Sequence, residues 1–186
     1  MMNINGLLTN EFEMRTVRAP LEDFNDREAL ELLYERAFPQ NERRPMAELL
    51  GEKSGMVKVL AFYHRGSFCG MAATLTSTEL VHIIYLAIEE SMRGQGLGSM
   101  ALEAIRKQDP GKKVIVDVER VEDGAANNDQ RTKRIAFYRK NGYRETEVRY
   151  RWRGEDYAIL SCGGVMTEQE WDEFWKEVWD RTGVIW

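Results

Sequence analysis

Two cysteines in 186 residues are too few for a disulfide framework, and neither Cys69 nor Cys162 belongs to a CxxC pair. That excludes a stapled secreted scaffold and gives no reason to expect a zinc site, so a reducing cytoplasm is the expected compartment. No apolar run reaches membrane-spanning length, so no membrane association is expected. The opening MMNINGLLTNEFEM carries acidic residues and no basic cluster ahead of its apolar ones, so it does not read as a signal peptide. A long basic block is missing as well, and the net charge is −5, which argues against a nucleic-acid partner and leans toward a cationic small molecule or peptide. Internal repeats and low-complexity segments are absent too.

What is present is a 43% hydrophobic chain long enough for one well-buried core and short for two. Residues 1–186 therefore read as a single domain. An edge strand is predicted near Met14–Arg18, and a capping box at Asn25–Glu28 opens a helix with Leu30, Leu33, Tyr34 and Ala37 on its apolar face, stopped by Pro39. A second short helix begins at Pro45, after the charged link Gln40–Arg44. Two such helices often form the wall of a ligand cleft, where Glu42, Arg43 and Arg44 are candidates to meet an acceptor. Strands Val57–Tyr63 and Phe68–Thr74 form a hairpin through the short connector His64-Arg65-Gly66-Ser67, and Val81–Ile88 continues the meander. Later come a strand at Val114–Glu119, a helix at Arg131–Lys140 capped by Asn141-Gly142, and a strand pair at Tyr143–Trp152 and Asp156–Ser161. Thr167–Glu170 is a second capping box. Trp171, Phe174, Trp175, Val178 and Trp179 then recur at helical spacing, as core or as a homodimer contact.

The chain is organised around Ile83–Arg106. There a strand feeds Arg93-Gly94-Gln95-Gly96-Leu97-Gly98, and the loop opens a helix with Met100, Leu102, Ala104 and Ile105 on its stripe. Glycines at such a junction admit close approach of a ligand, and the first amides of a helix are unpaired donors, so the loop is a candidate diphosphate site. A P-loop is excluded because Ser99-Met100 follow Gly98 where lysine and a hydroxyl residue are needed. Gly96-Leu97-Gly98-Ser99-Met100-Ala101 also fits the dinucleotide pattern G-x-G-x-x-A, with Asp117 and Glu119 as ribose ligands. Against that reading, the residues Glu89–Gln95 intervene where a tight turn is wanted. A strand, a helix and a second strand in this order make one parallel pair, so a mixed α/β sheet with an antiparallel N-terminal meander is expected.

Taken as Arg93-x-x-Gly96-x-Gly98, the loop resembles the pyrophosphate motif of the GNAT superfamily, the acetyl-CoA-dependent N-acetyltransferases. The segment Phe137-Tyr138-Arg139-Lys140-Asn141-Gly142-Tyr143 is similar to the helix end, glycine and aromatic of the same family. The resemblance covers about residues 14–161 and leaves a helical extension at 164–186 outside it.

The resemblance implies a GNAT-like fold with splayed central strands, and acetyl-CoA as co-substrate without a metal. It further implies an amine acceptor, either small molecule or peptide, that attacks directly in a ternary complex. It assigns the thioester carbonyl to backbone amides near Leu86, Ala87 and Ile88, and the pyrophosphate to the loop of Arg93, Gly94, Gln95, Gly96, Leu97, Gly98 and Ser99. Where the family often carries an asparagine on the coenzyme arm, this chain has Arg131. Tyr138 is the implied proton donor to the leaving thiolate. For the base two candidates stand: His82 on the central strand, and Glu119 at the end of the neighbouring one. A non-catalytic acyl-CoA-binding module and a dinucleotide-binding oxidoreductase remain as alternatives.

Overall fold

Alternating and branched apolar residues form seven strands, and helical stripes form five helices, in a computed structural model that describes residues 11–122 and 125–184. Strand β1 (Phe12–Val17) pairs antiparallel with β2 (Val57–His64), from Phe12 opposite His64 to Val17 opposite Val59. Between them, α1 (Arg27–Ala37) buries Leu30, Leu33 and Tyr34, and α2 (Met46–Gly51) buries Met46 and Leu49. The capping box expected at Asn25–Glu28 does not form. Asp26, not Asn25, is the N-cap; it makes no side-chain cap bond, and its Oδ2 accepts a 2.7 Å bond from the Tyr63 hydroxyl. Pro45 is the residue before α2, one position earlier than expected.

Arg65 and Gly66 both adopt positive φ, 51° and 79°, between β2 and β3 (Ser67–Thr76). That is the two-residue turn whose twist suits an antiparallel hairpin. Arg153 and Gly154 repeat it, at 51° and 90°, between β6 (Arg144–Trp152) and β7 (Glu155–Cys162). The remaining elements are β4 (Leu80–Ile88), α3 (Leu97–Gln108), β5 (Lys113–Glu119), α4 (Asn128–Lys140) and α5 (Glu168–Thr182). Helix α4 thus begins three residues before the expected Arg131. The second capping box is present, with Thr167 and Glu170 bonded reciprocally.

The sheet order is β1-β2-β3-β4-β5-β7-β6. Its parallel pair is β4 with β5, in register from Leu80 opposite Lys113 to Ile83 opposite Val116. Strand β7 inserts antiparallel beside β5, and β6 closes that edge with Arg144, Glu145, Glu147, Arg149 and Arg151 exposed. Alternating charge on an edge discourages pairing with other chains. This is the mixed sheet with flanking helices that the sequence leads one to expect.

By packing, the chain divides into two compact units. One takes residues up to 52, 57–73 and 85–105; the other takes Lys53–Met56, Thr74–Ile84 and the chain from Arg106 on. In the first the core holds Leu30, Leu60, Phe62, Met71 and Leu102, and in the second Ile115, Tyr143, Ile159, Phe174 and Val178. No helix among the described residues is long and apolar enough to cross a membrane.

Candidate active site

In the first unit the glycine loop leaves the end of β4. Glu89 donates its backbone N–H to the Cys69 carbonyl at 2.9 Å and accepts the Arg36 guanidinium at 3.0 Å, which anchors the exit from the strand. Arg93 curls back so that its Nε reaches the Ile88 carbonyl at 3.2 Å. Gly94 and Gly96 then take φ of 79° and 80°. No atom lies within 4 Å of the place a Cβ would take at either, so glycine is required there by conformation and not by space. Leu97 is buried and pins the first turn of α3, while residues 93–96 are exposed.

Gly98 lies within α3, and positive φ is found at Gly94 and Gly96. The Ser99 amide, one of the expected phosphate donors, is bonded to the Gly96 carbonyl at 3.0 Å. The first amides of the helix and the loop amides before it therefore form the donor set that faces solvent at the positive end of the dipole. Gly96→Val forces a branched residue into the left-handed region, at a cost on the order of 1–3 kcal/mol. The expected result is at least a tenfold loss of acetyl-CoA affinity with the fold retained, read by calorimetry. An unchanged affinity would move the pyrophosphate elsewhere.

The three positions assigned to the thioester lie at the end of β4, with Ala87 buried and Leu86 and Ile88 half-buried. Their placement depends on Gly70, a residue that pattern reading passes over. A Cβ at Gly70 would sit 2.6 Å from the Ala87 carbonyl oxygen and 2.7 Å from Ile88 Cδ1. Only glycine lets β3 lie that close, and a lone glycine inside the strand run FCGMAAT is the available signal.

The elbow between α1 and α2 is fixed to β4 by aromatic residues. The Tyr85 hydroxyl donates to the Glu42 carbonyl at 2.7 Å, and the Tyr34 hydroxyl to the Arg44 carbonyl at 3.0 Å. Tyr34, Phe38 and Tyr85 pack edge to face or tilted, with centroids 4.8–5.6 Å apart. Beside them a cavity of about 360 Å³ is lined by Glu31, Tyr34, Glu35, Arg43, Arg44 and Met46, among others. Of the charged link, then, Arg43 and Arg44 line a concavity, and Glu42 supports it through its backbone.

The second unit holds the titratable candidates. His82 stands opposite Ile115 in the parallel ladder, so Asp117, two residues further along β5, shares its face. His82 Nε2 lies 2.5 Å from Asp117 Oδ1, and the Tyr150 hydroxyl donates to Oδ2 at 2.9 Å. The tautomer with its proton on Nε2 satisfies that contact. His82 is 3% exposed, its Nδ1 has no hydrogen-bond partner, and the rings of Trp171, Phe174 and Trp175 surround it at 5.9–6.0 Å. His82 is thus enclosed, with its Nε2 turned to Asp117. Burial raises the Asp117 carboxyl pKa, but the His82 contact and the Tyr150 bond outweigh that and hold it below the usual carboxylate value.

Glu119, the other base candidate, takes Arg131 Nη2 and Arg134 Nη1, both at 3.4 Å. Arg131 itself is buried. Its guanidinium bonds Asn127 Oδ1 at 2.8 Å, the Arg120 carbonyl at 2.7 Å and Glu155 Oε2 at 2.6 Å. These contacts tie the start of α4 to the end of β5. Tyr138 is buried on α4, edge-on to Phe137 and Tyr143. Burial pushes its hydroxyl up to about 12, the Arg134 charge opposes that, and the Asp117 charge adds to it. Sequence patterns place Asp117 only as a ribose ligand, although the one charge inside VIVDVE's apolar alternation marks it. Among the described residues no cluster of His, Cys, Asp and Glu is arranged to hold a metal ion.

No curated protein sequence matches the chain significantly. Among solved structures, a GNAT-family protein from Bacteroides thetaiotaomicron superposes with a TM-score of 0.73 at 20% identity, over 93% of this chain and 99% of that one. Arabidopsis thaliana Naa50, in complex with the bisubstrate analogue CoA-Ac-MVNAL, gives 0.56 at 19% identity, over 82% and 98%. An Elizabethkingia anophelis GNAT acetyltransferase with acetyl-CoA bound gives 0.55 at 16%, over 82% and 98%. At these identities the likeness is one of fold. The sequence profile of the GNAT acetyltransferase domain matches residues 56–145, the stretch that holds β4, the glycine loop, β5 and α4. Residues 56–145 thus match the GNAT acetyltransferase domain, and the fold of the chain is that of the GNAT acetyltransferases.

Proposed function

We propose that this protein transfers an acetyl group from acetyl-CoA to a primary amine, on a small molecule or a peptide, by direct attack in a ternary complex. The observation that carries this reading is the exposed loop Arg93–Gly96, with two left-handed glycines leading from β4 into the amide-bearing end of α3. It offers backbone donors and a favourable dipole to a diphosphate. Acetyl-CoA bound to the Elizabethkingia protein and a CoA–peptide analogue bound to Naa50 support the choice of coenzyme and of an amine acceptor.

In this reading the amides of Gly94, Gln95, Gly96, Leu97 and Gly98 hold the pyrophosphate, with Arg93 bracing the loop and the Ser99 amide closing its turn. The β4 segment Leu86–Ile88 receives the thioester carbonyl. Tyr138 stabilises the departing sulfur. The dinucleotide alternative requires a tight turn between the strand and the first glycine of its pattern, yet Glu89–Gln95 intervene there, with Glu90–Met92 forming a short helical turn.

Thermal denaturation with each coenzyme tests the assignment. Acetyl-CoA at ten times its dissociation constant should stabilise the fold by about 1.4 kcal/mol, and NADH should leave it unmoved. A shift with NADH alone would replace the transferase reading with an oxidoreductase. Acetyl-CoA consumption across polyamines, aminoglycosides, amino acids and peptide N-termini then identifies the acceptor.

A further inference from the structure

We propose that Asp117 docks the cationic amine of the acceptor and that His82 and Tyr150 are positioning residues for its carboxylate, so that the enzyme selects alkylammonium substrates over uncharged amines. The inference rests on the acetyltransferase reading above and adds a substrate class and a residue to it.

Four observations carry it. Asp117 lies on β5 one residue past the last pair of the parallel ladder, Ile83 with Val116, where β5 is no longer paired to β4 through that register. Its side chain is 26% exposed while that of His82 behind it is 4% exposed, so the open side of the cluster belongs to the carboxylate. A carboxylate offers about four acceptor positions across its two oxygens, and the two contacts from His82 and Tyr150 leave room for an ammonium to donate. Its charge is also among the influences that raise the Tyr138 hydroxyl, the group assigned to the leaving sulfur.

The surroundings explain why the carboxylate keeps one orientation. Tyr150 stacks on Tyr157 at 5.2 Å and on Trp171 at 5.7 Å, and three aromatic residues of α5 enclose His82. Helix α5 lies outside the matched family segment, so this support comes from the chain's own C-terminal extension. A structural pair alone would be expected to bury both partners, yet here the carboxylate retains access to solvent.

The test uses the full-length protein with acetyl-CoA and four cationic acceptors, namely spermidine, kanamycin, lysine and a short peptide with a free N-terminus, and aniline as the uncharged amine. Coenzyme binding is followed separately by thermal shift. Asp117→Asn should keep the acetyl-CoA shift and raise KM for the best cationic acceptor by about tenfold or more, the scale of a lost charge-assisted contact. Aniline turnover should change by less than about twofold. His82→Leu should raise the same KM, and His82→Gln, which keeps an N–H donor, should recover part of it. If Asp117→Asn does not fold, Tyr150→Phe decides: a KM about threefold higher supports the assignment, and an unchanged KM overturns it. The proposal also fails if Asp117→Asn leaves the cationic KM within twofold of wild type. It fails again if the wild type shifts with acetyl-CoA but turns over no cationic amine, an outcome that leaves the coenzyme reading standing. Absence of the acetyl-CoA shift fails the coenzyme reading itself, and the docking role with it.

Discussion

Tyr138→Phe is expected to slow acetyl transfer by on the order of a hundredfold while acetyl-CoA binds as before, the usual size of a general-acid contribution where chemistry limits turnover. The ring stays in place and only the hydroxyl is lost, so packing against Phe137 and Tyr143 is conserved. The physical detail differs from a simple proton hand-off. Burial puts the Tyr138 hydroxyl near 12. A free thiol sits near about 8.5, so full transfer to a relaxed thiolate runs roughly 5 kcal/mol uphill. In the proposed reaction Tyr138 would therefore act by donating a hydrogen bond to sulfur as the C–S bond breaks, when the charge is building and the sulfur is still poorly solvated. A hydroxyl with so high a pKa stays protonated below about pH 11, and any loss of activity between pH 8 and 10 belongs to another group. Rapid-quench single-turnover kinetics reads the chemical step directly. A loss confined to coenzyme affinity would make Tyr138 a binding residue, and an unaffected rate would end its assignment.

Elements with a strong local signal are legible in the sequence. The hairpin at Arg65-Gly66, the capping box at Thr167–Glu170, the β4–loop–α3–β5 order and the cap at Gly142 all follow from turn chemistry and periodicity, which act within a few residues. Long-range competition is not legible. The helix expected to be capped at Asn25 opens one residue later, with Asp26 as N-cap and its carboxylate bonded to Tyr63 on a distant strand. Gly70 looks like one small residue in a strand, and its necessity depends on how near Ala87 lies. The site divides in the same way. The glycine loop and Tyr138 can be found from motifs, whereas the partnership of His82, Asp117 and Tyr150 needs the register between β4 and β5 and the hairpin that returns Tyr150 on β6. A side chain's burial is set by the helix packed over it. His82 can be read as an accessible base only while the destination of α5 is unknown.

Helix α5 gives the largest expected stability effect. Phe174 is 2% exposed, with its ring 5.0 Å from Trp175, 5.9 Å from His82 and 6.1 Å from Trp171. Phe174→Ala removes a buried aromatic from its cluster with His82, Trp171 and Trp175. The expected cost is about 3–5 kcal/mol. At roughly 2–4 °C per kcal/mol for a chain of this size, the melting temperature should fall by roughly 6–20 °C. Because His82 loses a wall of its enclosure, the carboxylate of Asp117 should also loosen, so acceptor KM rises in the same variant at temperatures where it remains folded. Trp179 is the control on the same helix. It is 53% exposed, and Trp179→Ala should change stability by no more than about 0.5 kcal/mol. The aromatic stripe is thus divided, with Phe174 and Val178 in the core and Trp179 outside it. Denaturant titration at two protein concentrations separates the remaining possibilities. A Trp179→Ala loss comparable to that of Phe174→Ala, growing with concentration in the wild type, would mean that a second copy of the chain covers this face. A Phe174→Ala cost under about 1 kcal/mol would mean instead that α5 is not held against His82 in solution.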